Sequence, residues 1–240
     1  MVHRCRMMPT YRTTLVLLAL MSIGCTYTAS RPAQSSASSQ GEWQALFDGT
    51  STAAWRAYHS QDFPATGWKI VDGALTKNGN VPDIMTRDKF GDFELTFDWK
   101  IGSGGNSGFF YRGTEEYNEI YWSSPEYQLL DDVGHPDGKN RMTAAGSVFA
   151  LYPTEAGIVK PAGEWNSSRI VARGPHVEHW LNGRKVAEYE QWSADWDARV
   201  KASKFKVYPN FGKSKEGYIG IQGDHPGELW LRNIRIRPVH

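Results

Sequence analysis

The chain has 240 residues, with 27 Lys and Arg against 26 Asp and Glu, and 40% of it is hydrophobic. No basic stripe breaks that balance, which argues against nucleic acid as a partner. Its two cysteines are Cys5 and Cys25, so the chain beyond residue 25 has no thiol for a disulfide, a thiolate metal site or a nucleophile.

In chain order, His3, Arg4, Arg6 and Arg12 form a positive segment ahead of the uncharged run 13–23, TTLVLLALMSI. A transmembrane helix needs roughly 20 apolar residues, so this run has the length of a signal-peptide core instead. Gly24 before Cys25 is the arrangement that a lipoprotein signal peptidase reads, although Ser22 stands where Leu is commonest. The expectation is a lipoprotein signal peptide over 1–24, lipidation at Cys25, a flexible Ser-rich tether over 25–41 and one domain over 42–240. The alternative is an ordinary signal peptide cut near Ala29. Lipidation would make the membrane a partner. Thr26, rather than Asp, follows the cysteine, so the outer membrane is expected, with the domain facing the periplasm or the exterior.

Beyond the tether the dominant period is two. A strand is expected at 68–71 and a long one at 92–101, where Phe93, Leu95, Phe97, Trp99 and Ile101 alternate with polar residues. The glycine-rich run 102–108 leads into a strand at 107–112 rather than a helix, which argues against a phosphate loop. Further strands are expected at 126–131, 146–152 and 169–173. Residues 176–181 and 184–189 flank Asn182-Gly183 and form a hairpin closed by a type I′ turn. A short helix over 193–203 has Ser193 as its N-cap. Strands at 217–223 and 229–237 close the pattern, the last with a bulge near Arg232-Asn233. Many strands and almost no helix indicate an all-β sandwich or jelly roll, whose curvature turns one polar sheet face into a concave ligand floor.

Three groups of residues could carry chemistry there. Glu126 and Gln128 share one strand face while Leu129 points to the core, and Asp131 joins them only if a bulge shifts the register. Gln222, Asp224 and His225 end the 217–223 strand, where a carboxylate beside an imidazole could relay protons or bind a metal. Asn106, Ser107 and Gly108 precede Arg112, whose guanidinium can hold oxygen ligands in bidentate fashion. The loop with Asp131, Asp132, His135 and Asp137 could complete a divalent-cation site. The bland alternatives are a solvated sheet face, a turn, a salt-bridged arginine and an acidic loop that merely turns.

The strings NSGFFYR at 106–112, EYQLLD at 126–131, GEWN at 163–166, HWLNG at 179–183, GYIGIQ at 217–222 and RNI at 232–234 occur in order across 42–239. Together they resemble the 3-keto-disaccharide hydrolase family. The resemblance implies a concanavalin A-like jelly roll and frequent export. One departure is Gly223-Asp224-His225, since the family places Asp or Asn and then His directly after Gln, which puts the position of His225 in doubt.

The implied chemistry is glycosidic cleavage of a sugar already oxidised at C3. A base removes the acidified C2 proton, elimination expels the C1 substituent, and water adds to the unsaturated product. The resemblance makes Glu126 the base or a metal ligand, and His225 an acid, base or ligand. Asn106, Arg112, Gln128, Asp131 and Gln222 would hold the carbohydrate, with no cofactor required beyond a divalent cation at most. A non-catalytic sugar-binding lipoprotein is the alternative. A two-carboxylate glycosidase is disfavoured because Gln128 stands where that strand would need an acid.

Overall fold

The computed structural model describes residues 41–239, so the expected signal peptide, Cys25 and the tether up to residue 40 lie outside the described residues. In chain order the strands are β1 (Gln44–Phe47), β2 (Trp55–Ala57), β3 (Lys69–Val71), β4 (Ala74–Asn78), β5 (Ile84–Thr86), β6 (Phe93–Ile101) and β7 (Asn106–Gly113). They continue as β8 (Glu126–Leu130), β9 (Asn166–Arg173), β10 (His176–Leu181), β11 (Arg184–Glu190), β12 (Tyr218–Ile221) and β13 (Glu228–Pro238). One helix, α1 (Ala194–Ala202), has Ser193 accepting from the Trp196 amide at 3.1 Å as its N-cap.

These strands form two antiparallel sheets, the sandwich that the alternation predicts. The larger runs β11-β10-β9-β6-β13-β4-β3 with β1 also on β13, and the smaller runs β2-β5-β12-β7-β8. Strand β6 buries Phe93, Leu95, Phe97, Trp99 and Ile101 against the second sheet, each at most 3% exposed. Phe97 stacks on Phe109 of β7 with ring centroids 3.9 Å apart. Trp99 Nε1 donates to Ser168 Oγ at 2.8 Å, and the Tyr127 hydroxyl meets the same oxygen, so the polar tips in this layer are satisfied. Each fully buried side chain of this kind stabilises the fold by about 1.5–3 kcal/mol. Such burial holds the described residues together without a disulfide.

The turns follow their residues. Asn182 and Gly183 both take positive φ, 49° and 82°, as a type I′ hairpin requires. The register of β13 against β6 slips between Arg232 and Arg235, with Asn233 at φ 53°, which is the expected bulge. The expected strand at 146–152 does not form. Gly146 and Ala150 take φ of 84° and 60°, and Val148 and Tyr152 exchange backbone bonds at 3.1 and 3.0 Å. The segment therefore folds on itself and covers the edge of β8 through Tyr127↔Val148.

Arg112 also corrects an expectation. Simple alternation puts it on the face of Asn106 and Gly108, but it sits at φ 55° beside a register shift between β7 and β12. The turned backbone carries its side chain into the protein, where it is 1% exposed. Its Nε donates to Gly91 O at 3.1 Å, Nη1 to Gln191 Oε1 at 2.8 Å, and Nη2 to Asp92 Oδ1 at 3.1 Å and Gly174 O at 2.9 Å. Those donors are spent on the protein rather than offered to a ligand. Arg112→Ala is expected to lower the unfolding free energy by about 2–4 kcal/mol in urea titrations, because Gln191 and two carbonyls lose their donor.

Candidate functional site

The site grows from the outer face of the five-stranded sheet. Strand parity sends Ser107, Phe109, Tyr127 and Leu129 inward and leaves Asn106, Gly108, Glu126 and Gln128 on the other side. Gln222, just past β12, is tied next to them, its amide donating to Gly108 O at 2.9 Å and its carbonyl accepting from Ser107 Oγ at 2.8 Å. Asn106, Glu126, Gln128, Gln222, Asp224 and His225 line one cavity of about 270 Å³. Five of the seven carbohydrate-site residues expected from the sequence thus converge, Arg112 and Asp131 being outside. His225, whose position the sequence leaves in doubt, lines the cavity.

Asp131 ends up elsewhere because β8 stops at Leu130. Its carboxylate accepts from Gly104 N at 2.8 Å and Val133 N at 3.2 Å, so it holds two loops and lines no part of the cavity. The acidic loop that follows does not gather ligand atoms either: His135 Nδ1 accepts from the Asp137 amide at 3.2 Å as the cap of a short 3₁₀ turn. Among the described residues, the trio of His, Asp or Glu whose ligand atoms lie within 4.8 Å of one another is His176, Glu178 and Glu188, on the β10–β11 hairpin. Lys185 is salt-bridged to both of those glutamates, at 3.4 and 2.6 Å.

Glu126 is the centre of the cavity. A Cβ on Gly108 would come within 2.1 Å of Glu126 Oε1, so the carboxyl occupies the space that glycine leaves open. The residue is 7% exposed, and no described donor hydrogen-bonds its carboxyl. Burial pushes its pKa up to about 8; Lys204 pulls it down, while Asp224, Asp83 and Asp137 add to the rise. His225 is half-buried with Nε2 3.9 Å from Asp224 Oδ1. Burial lowers its pKa below the ordinary imidazole value, opposed by Asp224 and assisted by Lys77, His135 and Lys204.

Buried polar atoms without a partner mark where a ligand belongs, because each costs about 1–3 kcal/mol when left unpaired. Of eight such side-chain atoms among the described residues, four belong to residues that line this cavity: Asn106 Oδ1, Gln128 Oε1, Gln222 Oε1 and Asp224 Oδ1. The Gln128 amide is oriented by its Nε2 donating to Thr143 O at 3.2 Å. A larger groove of about 590 Å³ lies on the other sheet around Trp68, Lys69 and Trp230, but none of the partnerless atoms lines it.

The remaining walls come from irregular chain that no period identifies. Tyr121 belongs to a 3₁₀ turn, Asp137 to the 3₁₀ turn after β8, Phe149 to the self-folded segment, and Lys204 and Phe205 to the turn after α1. Lys204 Nζ lies 4.4 Å from the Phe149 ring centroid and supplies a cation to the rim. The arrangement can therefore remove a proton, present a cation to developing negative charge and bind several hydroxyls.

The family model for 3-keto-alpha-glucoside-1,2-lyase-like domains matches residues 42–237. A Bacteroides thetaiotaomicron protein named 3-keto-disaccharide hydrolase is 35% identical over 224 residues, covering 80% of this chain and 77% of its own. A Parabacteroides distasonis crystal structure, provisionally assigned as a glycosyl hydrolase, superposes with a TM-score of 0.77 at 33% identity, covering 83% of this chain and 94% of that one. The catalytic domain of a Thermotoga petrophila endo-1,3-beta-glucanase aligns with a TM-score of 0.51 at 10% identity over 83% of this chain and 99% of that one, a likeness of fold alone.

The buried carboxyl also predicts a stability signature. Because its folded pKa lies above that of the unfolded chain, its favourable contribution is complete below about pH 4.5 and is lost as pH rises through about 8. Glu126→Gln keeps the neutral form at every pH. Thermal melts should match the parent near pH 4 and show the variant more stable by roughly 2–4 kcal/mol at pH 9.

Proposed function

The chain belongs to the family of 3-keto-alpha-glucoside-1,2-lyase-like domains, and from that membership we propose that it cleaves the glycosidic bond of 3-keto-glycosides by elimination followed by hydration. The observation that carries this reading is the Glu126 carboxyl, buried, unpaired and close to neutral-pH titration above Gly108, among amide oxygens that have no other partner. A cavity of about 270 Å³ lies just below the usual range of roughly 300–1,000 Å³ for ligand pockets, and so suits one sugar ring rather than a chain.

In the proposed sequence Glu126 takes the C2 proton, and the C2–H electron pair forms the enolate of the C3 ketone. Lys204 stabilises the negative oxygen. The enolate then re-forms the ketone as the C1–O bond breaks, leaving a C1=C2 double bond, and His225 delivers the proton that the departing oxygen needs. Water adds at C1 while the proton returns to C2, so the net change is hydrolysis. Asn106, Gln128 and Gln222 hold hydroxyls of the ring. The same partnerless oxygens, with the Asp224 carboxylate, also fit a hard divalent cation, which when bound would polarise the keto oxygen as a Lewis acid.

Assays should compare a 3-keto-glucoside with its unoxidised parent. Release from the keto sugar alone is expected, with Glu126→Gln lowering kcat at least a thousandfold. For the parent enzyme kcat/KM should be bell-shaped in pH, greatest between the lowered His225 pKa and about 8, because Glu126 must be ionised while His225 holds its proton. Release from the unoxidised sugar would favour a two-carboxylate glycosidase using Asp224 or Asp137 as its second acid. Binding without release would favour a sugar-binding module. Lys204→Met is expected to lower kcat at least thirtyfold with little change in KM. Unchanged kcat in that variant, together with loss of activity in EDTA that Mn²⁺ restores, would transfer the electrophile's role to a cation.

A further inference from the structure

The segment that delivers His225 is held from two sides by buried charges that touch no part of the expected sugar position. From the smaller sheet's side, Asp83, 6% exposed and just before β5, accepts from the Gly223 amide at 2.7 Å and the Asp224 amide at 3.3 Å with one oxygen. Its second oxygen has no partner. From the larger sheet, Lys77 of β4 is 2% exposed and its Nζ donates to His225 O at 2.6 Å and Gly79 O at 3.3 Å. Between these contacts Gly223 is pressed against the chain before β5: its carbonyl accepts from Val81 N at 3.0 Å, and a Cβ would lie 2.5 Å from Val81 O.

We propose that Lys77 and Asp83 are positioning residues, a two-sided clamp on the main chain of Gly223-Asp224-His225 that aims the Asp224 and His225 side chains into the cavity opposite Glu126. Every directed contact of the two charges from this side falls on the main chain of residues 223–225 or on Gly79, and none falls on a cavity side chain. Packing alone would not need them, since apolar residues of similar volume often replace buried charged groups without loss of stability. What apolar residues cannot do is accept two amides and donate to one carbonyl, which fixes the path of the segment after Gln222. The role of the clamp in turnover rests on the proposed function; its grip on the segment does not.

Three variants test it. Asp83→Ala removes the acceptor, Asp83→Asn keeps an acceptor oxygen without the charge, and Lys77→Met removes the donor to His225 O. With a 3-keto-glucoside, Asp83→Ala and Lys77→Met are expected to lower kcat at least tenfold with KM within threefold, and Asp83→Asn to restore kcat to within threefold of the parent. Should Asp83→Ala fail to fold, Lys77→Met carries the same criterion, because Asp83 can then take up a proton. Parent-like kcat in the folded variants, a loss confined to KM, or Asp83→Asn as impaired as Asp83→Ala would each overturn the proposal. Amide hydrogen exchange at Gly223 and Asp224, read without substrate, should quicken at least tenfold in Asp83→Ala, and unchanged exchange overturns the clamp. If the parent enzyme releases nothing from any 3-keto-glycoside, the functional reading falls by itself and the exchange measurement still decides the clamp.

Discussion

A carboxyl group buried without a partner on a sheet face is the constraint on which the rest of the site depends. Glu126 sits where water is largely excluded, and no described donor answers it, so the protein holds it near the pH where it gains and loses a proton. That arrangement needs room, which Gly108 provides by lacking a Cβ. It also needs a fold whose stability does not rely on this face. The aromatic layer between the sheets, centred on Phe97, Trp99, Phe109 and Tyr127, supplies that stability from the opposite side of the same strands. One face of β7 and β8 is devoted to cohesion and the other to chemistry.

Strand parity made much of this readable from the chain. The alternation in β6 placed its five apolar residues in the core, and the two-residue spacing of Glu126 and Gln128 placed both in the cavity with Leu129 behind them. Parity failed where the backbone left the β region. Arg112 is two residues beyond Phe110, yet a positive φ turns it into a network with Asp92, Gly174 and Gln191. Asp131 lies one residue past the end of β8, where backbone amides of the neighbouring loops capture its carboxylate. Positive φ at non-glycine residues has no dependable signature in one sequence, and the apolar residues around 146–152 hid a turn for the same reason.

Lys204, Tyr121 and Phe149 were not legible because they reach the cavity from irregular segments, and only the folded arrangement brings them beside β8. Periodicity describes how a strand faces its sheet and says nothing about which loop closes over it. Asp83 was hidden more deeply. It lies in a short stretch before a three-residue strand, and its significance comes from amides 140 and 141 residues away. A residue whose partners are main-chain atoms of a distant turn carries no motif.

The stretch Gly223-Asp224-His225 shows how backbone and charge share the task of placing a side chain. Gly223 separates Gln222 from the Asp-His pair, and His225 lines the cavity. Glycine allows position 223 to lie flat against Val81 and Pro82, where any Cβ would collide with their carbonyls. Flat packing leaves two amides and a carbonyl pointing at interior space, and these must be paired or they cost about 1–3 kcal/mol each. A carboxylate below and an ammonium from the opposite sheet meet that demand, and burial lowers the Lys77 pKa to about 8 while it raises that of Asp83 to about 7. Each group can keep its main-chain hydrogen bonds in either protonation state, since a neutral carboxyl still offers an acceptor oxygen and a neutral amine still donates.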